Sequence, residues 1–429
     1  MVTSKLPKPI LLLLVTALLV IIYSLTYFLV YKPLDKRYSS FNTIPILNQS
    51  KISPGYTLIA PYNRFQTPQP WTAKIYLLDM LGNTVHTWST EHQPLYAVLK
   101  ENGNLLVAIE DPQLNVQVPP GGNTGIIQEL DWNSKVVWEF KDKMLHHDLV
   151  PLKNGNVLVS LWEKTPEEVA TLVQGGEVGT ELNGTIFSDE IAEINPQGEK
   201  AWSWHSYEHL NPELDKIGQL LPRYGWTYTN GLKNLDKSPV DGEESLLLSM
   251  RSLNTIFIVN KKTGDITWRS PKEMFNVQHD PTLLDNGNIL AFDNGLLRVP
   301  HPHPLYGSRV LEVDPKTNQI VWQFSGGDSV IDKVRFFAPL TSGAQRLKNG
   351  NTVITNGPKG HIFEVTSDGE IVWDFMSPYV TNSTGHFPNT FLFKSHRYQE
   401  NEINWPQKLS PPINKSNLNL YNQLSKIYP

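Results

Sequence analysis

Six imperfect repeats run along the chain, and this periodicity restricts the possible folds more than any other feature of the sequence. Most copies contain a glycine, asparagine or serine four residues before a tryptophan. The tryptophans at this position are Trp138, Trp202, Trp268, Trp322 and Trp373, and the first copy carries His86 instead. A repeat of roughly 40–50 residues built from short strands and tight turns is typical of a β-propeller. The tryptophans are expected to pack neighbouring sheets together and not to contact a ligand.

Asn-Gly-Asn turns recur between the predicted strands. They lie at residues 102–104, 154–156, 286–288 and 349–351. An Asn-Gly pair predicts a type I′ hairpin turn, in which both central residues have positive φ. Four short strands per unit match one blade, so we expect an all-β, six-bladed propeller.

The last repeat lacks an obvious final strand. Near the start of the chain, the segment Gly55–Ala60 resembles Gly350–Thr355. We therefore expect the N-terminal segment to pair into the last blade, which would close the ring and leave no open edge strand.

The composition limits the possible partners and chemistry. The chain has 429 residues and a formal net charge of −5, so nucleic acid is not expected as a partner. It contains no cysteine, which excludes disulfides, thiolate catalysis and zinc–sulfur sites.

An uncharged apolar segment, Pro9–Tyr31, is long enough to cross a bilayer as a helix. A signal peptide is the alternative, but the apolar stretch is long for one and no Ala-x-Ala-like site follows it. We expect residues 1–37 to form a cytoplasmic tip and a transmembrane anchor, which makes the chain a single-pass membrane protein. The propeller is then expected on the extracytoplasmic side. The other expected segments are a spacer over 38–54, the propeller over 55–400 and a polar tail over 401–429.

Two histidines occupy the same internal position in two repeats. His147-Asp148 and His279-Asp280 each lie seven residues before the first asparagine of an Asn-Gly-Asn turn. Equivalent blade positions lie at similar radius and height, so these imidazoles are expected to share one space near the channel mouth. Packing does not require histidine there, because other repeats carry Leu95 and Ser342. The alternative is that both pairs are turn residues, with the aspartates capping their neighbours.

An arginine ends a predicted strand in the repeat between these two. Arg251 directly follows Leu246–Met250. A guanidinium fork binds a tetrahedral oxyanion such as sulfate through two parallel hydrogen bonds. Arg251 therefore either completes a cationic cup with the histidines or forms an ion pair at the surface or between blades.

Several short strings occur in a defined order along about residues 55–410. They are His146-His147-Asp148, Leu248-Ser249-Met250-Arg251, Gln278-His279-Asp280, Phe292-Asp293-Asn294-Gly295, the run from Ser342 to Leu347, and Asn389 through Tyr398. In this order and spacing the chain resembles the bacterial arylsulfotransferase family, PAPS-independent enzymes built on a six-bladed propeller. The resemblance implies transfer of a sulfuryl group from an aryl sulfate to a phenol through a sulfohistidine, with ping-pong kinetics and no cofactor or metal.

The resemblance also implies roles for individual residues. His279 matches the nucleophile, Arg251 the sulfate-binding arginine, and the His-His-Asp string the second histidine. That histidine is His147 by repeat register, with His146 as the alternative. The substrate-binding residues are expected to be His146, Asn230 and Arg298.

One position departs from the family. Tyr228 stands where the family commonly has a histidine in a His-x-Asn string. We expect Tyr228 to donate a hydrogen bond to a sulfuryl oxygen, although a phenol with an ordinary pKa of about 10 is a poor proton acceptor.

Two other functions remain open from the sequence. Imidazole and carboxylate groups are common metal ligands, but the arginine among them disfavours a cation and no metal is expected. A propeller is also a rigid platform, so a non-catalytic module that binds a ligand or a protein is the main alternative.

Overall fold

The computed structural model describes residues 46–62, 73–114, 117–298, 307–379 and 391–413. Within them, six antiparallel units form a propeller, as predicted; five have four strands and the sixth gains β1 (Ile46–Leu47) as a fifth. Their inner strands contact one another around the axis. The predicted anchor Pro9–Tyr31 lies outside the described residues, and no helix inside them is long and apolar enough to span a membrane.

The strands follow chain order around the ring. A short strand β1 (Ile46–Leu47) precedes blade 1, which contains β2 (Tyr56–Ile59), β3 (Ala73–Leu78) and β4 (Thr84–Thr90). Blade 2 contains β5 (Pro94–Leu99), β6 (Leu105–Glu110), β7 (Gly125–Leu130) and β8 (Val136–Lys141). The strands of blade 3 and its insertion are β9 (Leu145–Pro151), β10 (Val157–Lys164), β11 (Gly175–Glu177), β12 (Phe187–Ile194), β13 (Lys200–His205) and β14 (Ile217–Pro222).

The second half of the ring is more regular. Blade 4 contains β15 (Thr229–Leu235), β16 (Ser245–Met250), β17 (Thr255–Asn260) and β18 (Ile266–Arg269). Blade 5 contains β19 (His279–Leu283), β20 (Ile289–Asp293), β21 (Arg309–Asp314) and β22 (Gln319–Phe324). Blade 6 contains β23 (Gly343–Arg346), β24 (Thr352–Asn356), β25 (His361–Val365) and β26 (Ile371–Met376), and the last described strand is β27 (His396–Tyr398).

The Asn-Gly-Asn turns differ from the predicted type I′ geometry. In the turn between β9 and β10, the Gly155 N–H donates to the Leu152 carbonyl at 3.0 Å, and Gly155 has φ 90° while Asn154 does not have positive φ. This is a type I turn followed by a left-handed glycine. The prediction was wrong because Oδ1 of Asn154 accepts the Asn156 N–H at 3.0 Å, a local turn that does not need positive φ at asparagine.

These asparagines also tie each hairpin to the next strand. Asn154 and Asn156 both donate to Oε1 of Glu193 on β12, at 2.7 and 2.6 Å. Glutamates at the same place accept from the other Asn-Gly-Asn turns, and they are Glu129, Glu312 and Glu364. The Asn-Gly-Asn motif therefore recurs in several blades because its asparagines bind the next strand as well as form the turn.

The repeated tryptophans join each blade to the next, which confirms their packing role. Nε1 of Trp138 donates to the Pro196 carbonyl in the following blade at 3.0 Å. Trp322 and Trp373 likewise donate to backbone carbonyls of the following blade, whereas Trp268 donates to the side-chain oxygen of Asn318 at 2.9 Å. In blade 3 the donor is Trp204, two residues beyond the repeat position. In blade 1, Nε2 of His86 replaces the indole and lies 2.9 Å from the Trp132 carbonyl.

The chain closes the ring by bringing both ends into blade 1. The inner strand β27 pairs with β2, with Tyr398 opposite Tyr56 and His396 opposite Leu58. The expected closure is thus present, but the shared blade is the first one and not the last. Blade 6 is complete without the N-terminal segment and receives only β1, which pairs with β26 at its outer edge.

The segments on either side of the propeller also pack against it. In the expected spacer, Ile52 is buried with the core of blade 6 and its neighbours. In the expected tail, Ile403 and Leu409 are buried against blade 1, and the Trp405 ring lies 5.4 Å from that of Tyr56. Residues 401–413 therefore form part of the packed structure.

The helices in the described residues are short and lie outside the blades. They are α1 (Glu167–Ala170), α2 (Ser206–His209) and α3 (Val330–Phe336), with 3₁₀ turns at Arg251–Leu253 and Gly357–Lys359. The first two belong to the blade 3 insertion, where β11 and β14 form a parallel pair. This insertion ends at the buried Trp226, and the chain then enters the inner strand of blade 4 at Tyr228–Thr229.

Candidate active site

The predicted histidines lie at one end of the propeller axis. His146 and His147 are near the start of β9, and His279 is the first residue of β19. Both strands run away from this end toward their hairpin turns. Arg251 follows β16 and Tyr228 precedes β15, so the fold brings these side chains to the same end.

His279 is held in one orientation and one tautomer. Its Nδ1 lies 2.7 Å from Oδ1 of Asn294 and 3.1 Å from the Val277 carbonyl, and both are acceptors. The Asn294 amide donates to the carbonyls of Ala338 and Thr341 at 2.8 and 2.9 Å, which fixes its oxygen toward His279. Nδ1 therefore carries the proton, and Nε2 keeps its lone pair.

Burial keeps His279 neutral. The side chain is only 6% exposed. Burial, with smaller contributions from the charges of Arg251 and Lys394, lowers the pKa of His279 to about 3. At neutral pH its imidazole is a potential nucleophile and not a cation.

Backbone strain supports this arrangement. Val277 has φ 58°, a conformation that is unusual for a β-branched residue. Its N–H donates to Oδ1 of Asn254 at 2.8 Å, while its carbonyl accepts from His279. Strain of this kind persists only where neighbouring contacts hold the chain in place, and it is concentrated at functional sites.

His146 and His147 pack side by side, with ring centres 4.2 Å apart. Nδ1 of His146 donates to the Thr229 carbonyl at 2.7 Å, so His146 joins blade 3 to blade 4. The backbone of Asn230 approaches the buried His147 ring, but neither ring nitrogen completes a hydrogen bond in the described part of the chain. Burial lowers the pKa of His146 to about 4. Burial, and then the neighbouring His146 and His279, lower the pKa of His147 well below its ordinary value.

Arg251 carries the positive charge next to these neutral rings. Its guanidinium carbon lies 4.9 Å from the centre of the Tyr228 ring, and its backbone N–H donates to the Tyr228 carbonyl at 3.0 Å. Among the residues that the structure describes, no carboxylate lies within ion-pair distance of this guanidinium. An arginine without a carboxylate partner, beside imidazoles with free nitrogens, is suited to bind an oxyanion.

Tyr228 contacts a covering loop. Its hydroxyl donates to the carbonyl of Gly121 at 2.7 Å and lies 3.2 Å from that of Pro120. The same loop approaches the histidines, because a Cβ at Gly122 would lie 2.4 Å from Nδ1 of His147. In this conformation the Tyr228 proton is directed at the loop and not at the space between the histidines.

The other predicted substrate-binding residues have structural partners. Asn230 donates to the Gln278 carbonyl at 2.9 Å and accepts from the Ser249 hydroxyl at 2.9 Å, which joins blades 4 and 5. Arg298 forms an ion pair with the buried Asp293, which also binds Arg309 at 2.6 Å. No contact in the described residues brings Arg298 to the histidines.

Two residues at this site were not predicted. Asn294 lies in the Phe-Asp-Asn-Gly string, where the sequence indicates a resemblance but no role. Lys394 occupies the register of the two histidines, because Tyr398 pairs with Tyr56 as Leu99 pairs with Leu105 in blade 2. The Asn-Gly-Asn turns identified this register, and blade 1 has no such turn after its inner strand.

Lys394 binds the aspartates that follow the two histidines. Its Nζ lies 3.1 Å from Oδ1 of Asp148 and 3.0 Å from Oδ1 of Asp280. Burial alone would lower the pKa of Lys394, but the two aspartates outweigh this effect and hold it well above its ordinary value. Asp148 and Asp280 are thus ion-pair partners and not only turn residues.

No group of three or more His, Asp or Glu side chains in the described ranges is arranged to hold a metal ion. The fold and site together define a six-bladed propeller with three neutral histidines and an arginine at one end of its axis. The family model described as Arylsulfotransferase (ASST) matches residues 98–378, and the chain belongs to this family. No curated protein matches the chain.

The solved structures that match this chain are distant from it in sequence. A protein of unknown function from Bacteroides caccae is 13% identical, with a TM-score of 0.48, and the match covers 81% of this chain and all of that one. Virginiamycin B lyase from Staphylococcus aureus is 12% identical, with a TM-score of 0.36 and coverage of 68% and 71%. AztD from Citrobacter koseri is 9% identical, with a TM-score of 0.39 and coverage of 80% and 99%.

Proposed function

We propose that the protein transfers a sulfuryl group from an aryl sulfate to a phenol through a covalent intermediate on Nε2 of His279. The observation that carries this proposal is the hydrogen bond from Nδ1 of His279 to Asn294, whose amide cannot rotate without losing two bonds of its own. A neutral imidazole with a fixed, available Nε2 is what nucleophilic attack requires.

The reaction has two half-reactions at one site. Nε2 attacks the sulfur, the N–S bond forms, the S–O bond to the aryl group breaks and a phenolate leaves. The oxygen of an acceptor phenol then attacks the same sulfur, a new S–O bond forms, and the N–S bond breaks to regenerate His279. The leaving phenolate gains a proton and the acceptor loses one, so the cycle consumes no proton. This sequence predicts ping-pong kinetics.

Arg251 and His147 stabilise the charge that develops on the sulfuryl oxygens. Arg251 supplies a guanidinium fork without a carboxylate partner in the described residues, and His147 offers a buried N–H that has no partner there. Donors held in place in a dry site act strongly on such charge. Because Tyr228 donates to the loop, we assign it to closing the site over the substrate rather than to binding a sulfuryl oxygen.

We further propose that Pro9–Tyr31 anchors the protein in a membrane as a single span and that the propeller lies on the extracytoplasmic side. The length and composition of this segment support the proposal. Protease added outside intact cells should cleave the propeller from the membrane. If the propeller is fully protected in intact cells and is cleaved only after lysis, this orientation is refuted.

An assay of the full-length protein in detergent tests the proposed function. A chromogenic aryl sulfate is the donor, a second phenol is the acceptor, and release of the chromophore is measured. His279→Ala should abolish release, whereas His361→Ala should have little effect, because His361 pairs with Asp374 at 2.7 Å in blade 6. A fully active His279→Ala variant would exclude the mechanism.

A binding platform is the second candidate function, and two observations favour it. The three histidines of the site are at most 6% exposed. The blade 3 insertion instead exposes apolar side chains, which are Leu172, Val178, Leu214 and Leu220. If wild-type protein forms no sulfuryl adduct, and serine at these four positions removes a measured protein interaction, this candidate is favoured over the enzyme.

A further inference from the structure

A buried lysine on the propeller axis connects the inner strands of the ring. The Lys394 side chain is 5% exposed, and its Nζ lies within 3.1 Å of carboxylate oxygens from blades 3 and 5. The same ammonium group lies 4.3 Å from the centre of the Tyr96 ring on the inner strand of blade 2. Lys394 itself belongs to the segment that leads into β27 and closes blade 1.

The two aspartates extend these contacts to the remaining blades. Oδ2 of Asp148 accepts the backbone N–H of Leu232 in blade 4 at 2.8 Å. Oδ1 of Asp280 lies 3.5 Å from Nζ of Lys233, also in blade 4. Oδ2 of Asp280 approaches blade 6 so closely that a Cβ at Gly343 would lie 2.4 Å from it. We call Lys394, Lys233, Asp148 and Asp280 the axial hub, in which two positive and two negative charges balance.

We propose that Lys394 is a positioning residue that sets the relative placement of His147 and His279. Each histidine directly precedes an aspartate that binds the same ammonium group, so the hub fixes the backbone from which each imidazole projects. Where it concerns catalysis, this inference rests on the function proposed above.

Loss of Lys394 would act on both histidines together. Asp148 and Asp280 would become two like charges in a buried space without their shared cation, and such charges must separate, take up protons or admit water. Separation of the aspartates or entry of water would move β9 relative to β19, and proton uptake would remove the attraction that holds them together. A displacement of about 1 Å between reacting groups costs roughly 100-fold in rate.

The chain contains a matched control for general destabilisation. Arg397 belongs to the same closing segment, is fully buried and binds Oε2 of Glu364 at 2.5 Å. This ion pair joins β27 to blade 6 and does not contact the residues that carry the histidines. Arg397→Met should therefore weaken ring closure without the specific effect on the site.

The test compares Lys394→Met with Arg397→Met in the full-length protein. Long-range ¹H–¹⁵N spectra of the imidazoles report tautomer and environment, thermal unfolding reports stability, and the transfer assay reports kcat and KM. We expect both variants to unfold at lower temperature. Only Lys394→Met should shift the His147 and His279 signals and lower kcat by roughly 100-fold, with a change in KM below about threefold.

A second variant covers failure of Lys394→Met to fold. The triple variant Lys394→Met/Asp148→Asn/Asp280→Asn removes the buried charges at these three positions, and Lys233, whose side chain is 27% exposed, can be solvated by water. This variant should fold with displaced histidine signals and low kcat. Wild-type histidine spectra in either folded variant would overturn the inference. If wild-type protein lacks transferase activity, the proposed function fails while the spectra still decide the role of Lys394.

Discussion

His279 differs from an ordinary histidine because of its neighbours. Asn294 and the Val277 carbonyl fix the proton on Nδ1, and burial keeps the ring neutral. Asn294 is oriented in turn by two backbone carbonyls of the segment before blade 6. The imidazole of this proposed nucleophile is thus held in place by Asn294 and by the Val277 carbonyl.

The first prediction tests the role of Asn294 in this arrangement. Asn294→Ala removes the acceptor that holds Nδ1, so kcat should fall roughly 10- to 100-fold as the imidazole loses its fixed tautomer. Ser308→Ala is the matched control, because the Ser308 hydroxyl donates to the Asn294 carbonyl at 2.9 Å and does not contact His279. Steady-state kinetics and thermal unfolding should show lower stability in both variants and lower kcat in Asn294→Ala alone. Equal kcat values in the two variants would remove Asn294 from the mechanism.

A second prediction at the residue scale concerns pH. The pKa of His279 is lowered from about 6.5 in the unfolded chain to about 3 by burial. The unfolded state therefore binds more protons in this window, so the contribution to stability is complete above about pH 6.5 and is lost as the pH falls toward 3. Near pH 5 the free energy of unfolding should depend less steeply on pH in His279→Ala, by about 1.4 kcal/mol per pH unit. Urea unfolding at several pH values measures how the free energy of unfolding depends on pH in the wild type and in His279→Ala. The same dependence in both proteins would mean that His279 is not buried as a neutral base.

At the scale of elements, the loop between β6 and β7 covers the site. It contacts the Tyr228 hydroxyl through the Gly121 carbonyl, and Asn123 accepts the Trp162 indole N–H at 2.9 Å. Glycine allows the close approach, since Gly121 and Gly122 have φ 96° and 77°. If the proposed function holds, we expect this loop to move when a substrate enters.

A third prediction uses two glycines with nearly the same backbone conformation. Gly122 has φ 77° and Gly184 has φ 76°, so alanine introduces similar strain at both positions, of about 1–2 kcal/mol. A Cβ at Gly184 meets no atom within 4 Å, whereas one at Gly122 would press on His147. Gly122→Ala should therefore lower kcat/KM by at least about tenfold more than Gly184→Ala. Similar kinetics for both variants would show that the loop does not pack on the reacting groups.

The repeats allowed the strands and blades to be predicted, but the contacts that join the blades and build the site were less predictable. Fixed spacing placed His147 and His279 in one register and predicted the packing role of the tryptophans. The same spacing could not reveal that Trp204 replaces Trp202, since residues two apart on β13 lie on the same face of the strand. Lys394 was not predicted as a site residue because its register is defined by strand pairing between the two ends of the propeller, and no local turn marks it. The role of Asn294 was not predicted because the tautomer of His279 is set by contacts that form only in the folded protein.

At the scale of the whole molecule, ring closure and the site depend on the same segment. The residues before and within β27 supply Lys394 to the axial hub and Arg397 to the buried pair with Glu364. Breaking one buried ion pair by removing a partner costs about 3–5 kcal/mol, and a domain is stable by only about 5–15 kcal/mol. The closing segment is thus part of the minimal folded unit.

A fourth prediction follows for truncated chains. Deleting residues 391–429 removes β27 and both cations, so the protein should not unfold cooperatively on heating when circular dichroism is recorded. Deleting only residues 414–429 keeps every contact described above and should leave the melting transition in place. If the variant that lacks residues 391–429 unfolds cooperatively with the amplitude of the wild type, this account of ring closure is contradicted.

The most direct measurement of the central claim is the mass of the protein after incubation with an aryl sulfate in the absence of acceptor. We predict one sulfuryl adduct per chain, located on His279 by fragmentation, lost on addition of a phenol and absent from His279→Ala. An adduct on another residue, or its presence in His279→Ala, would contradict the assignment of His279 as the nucleophile.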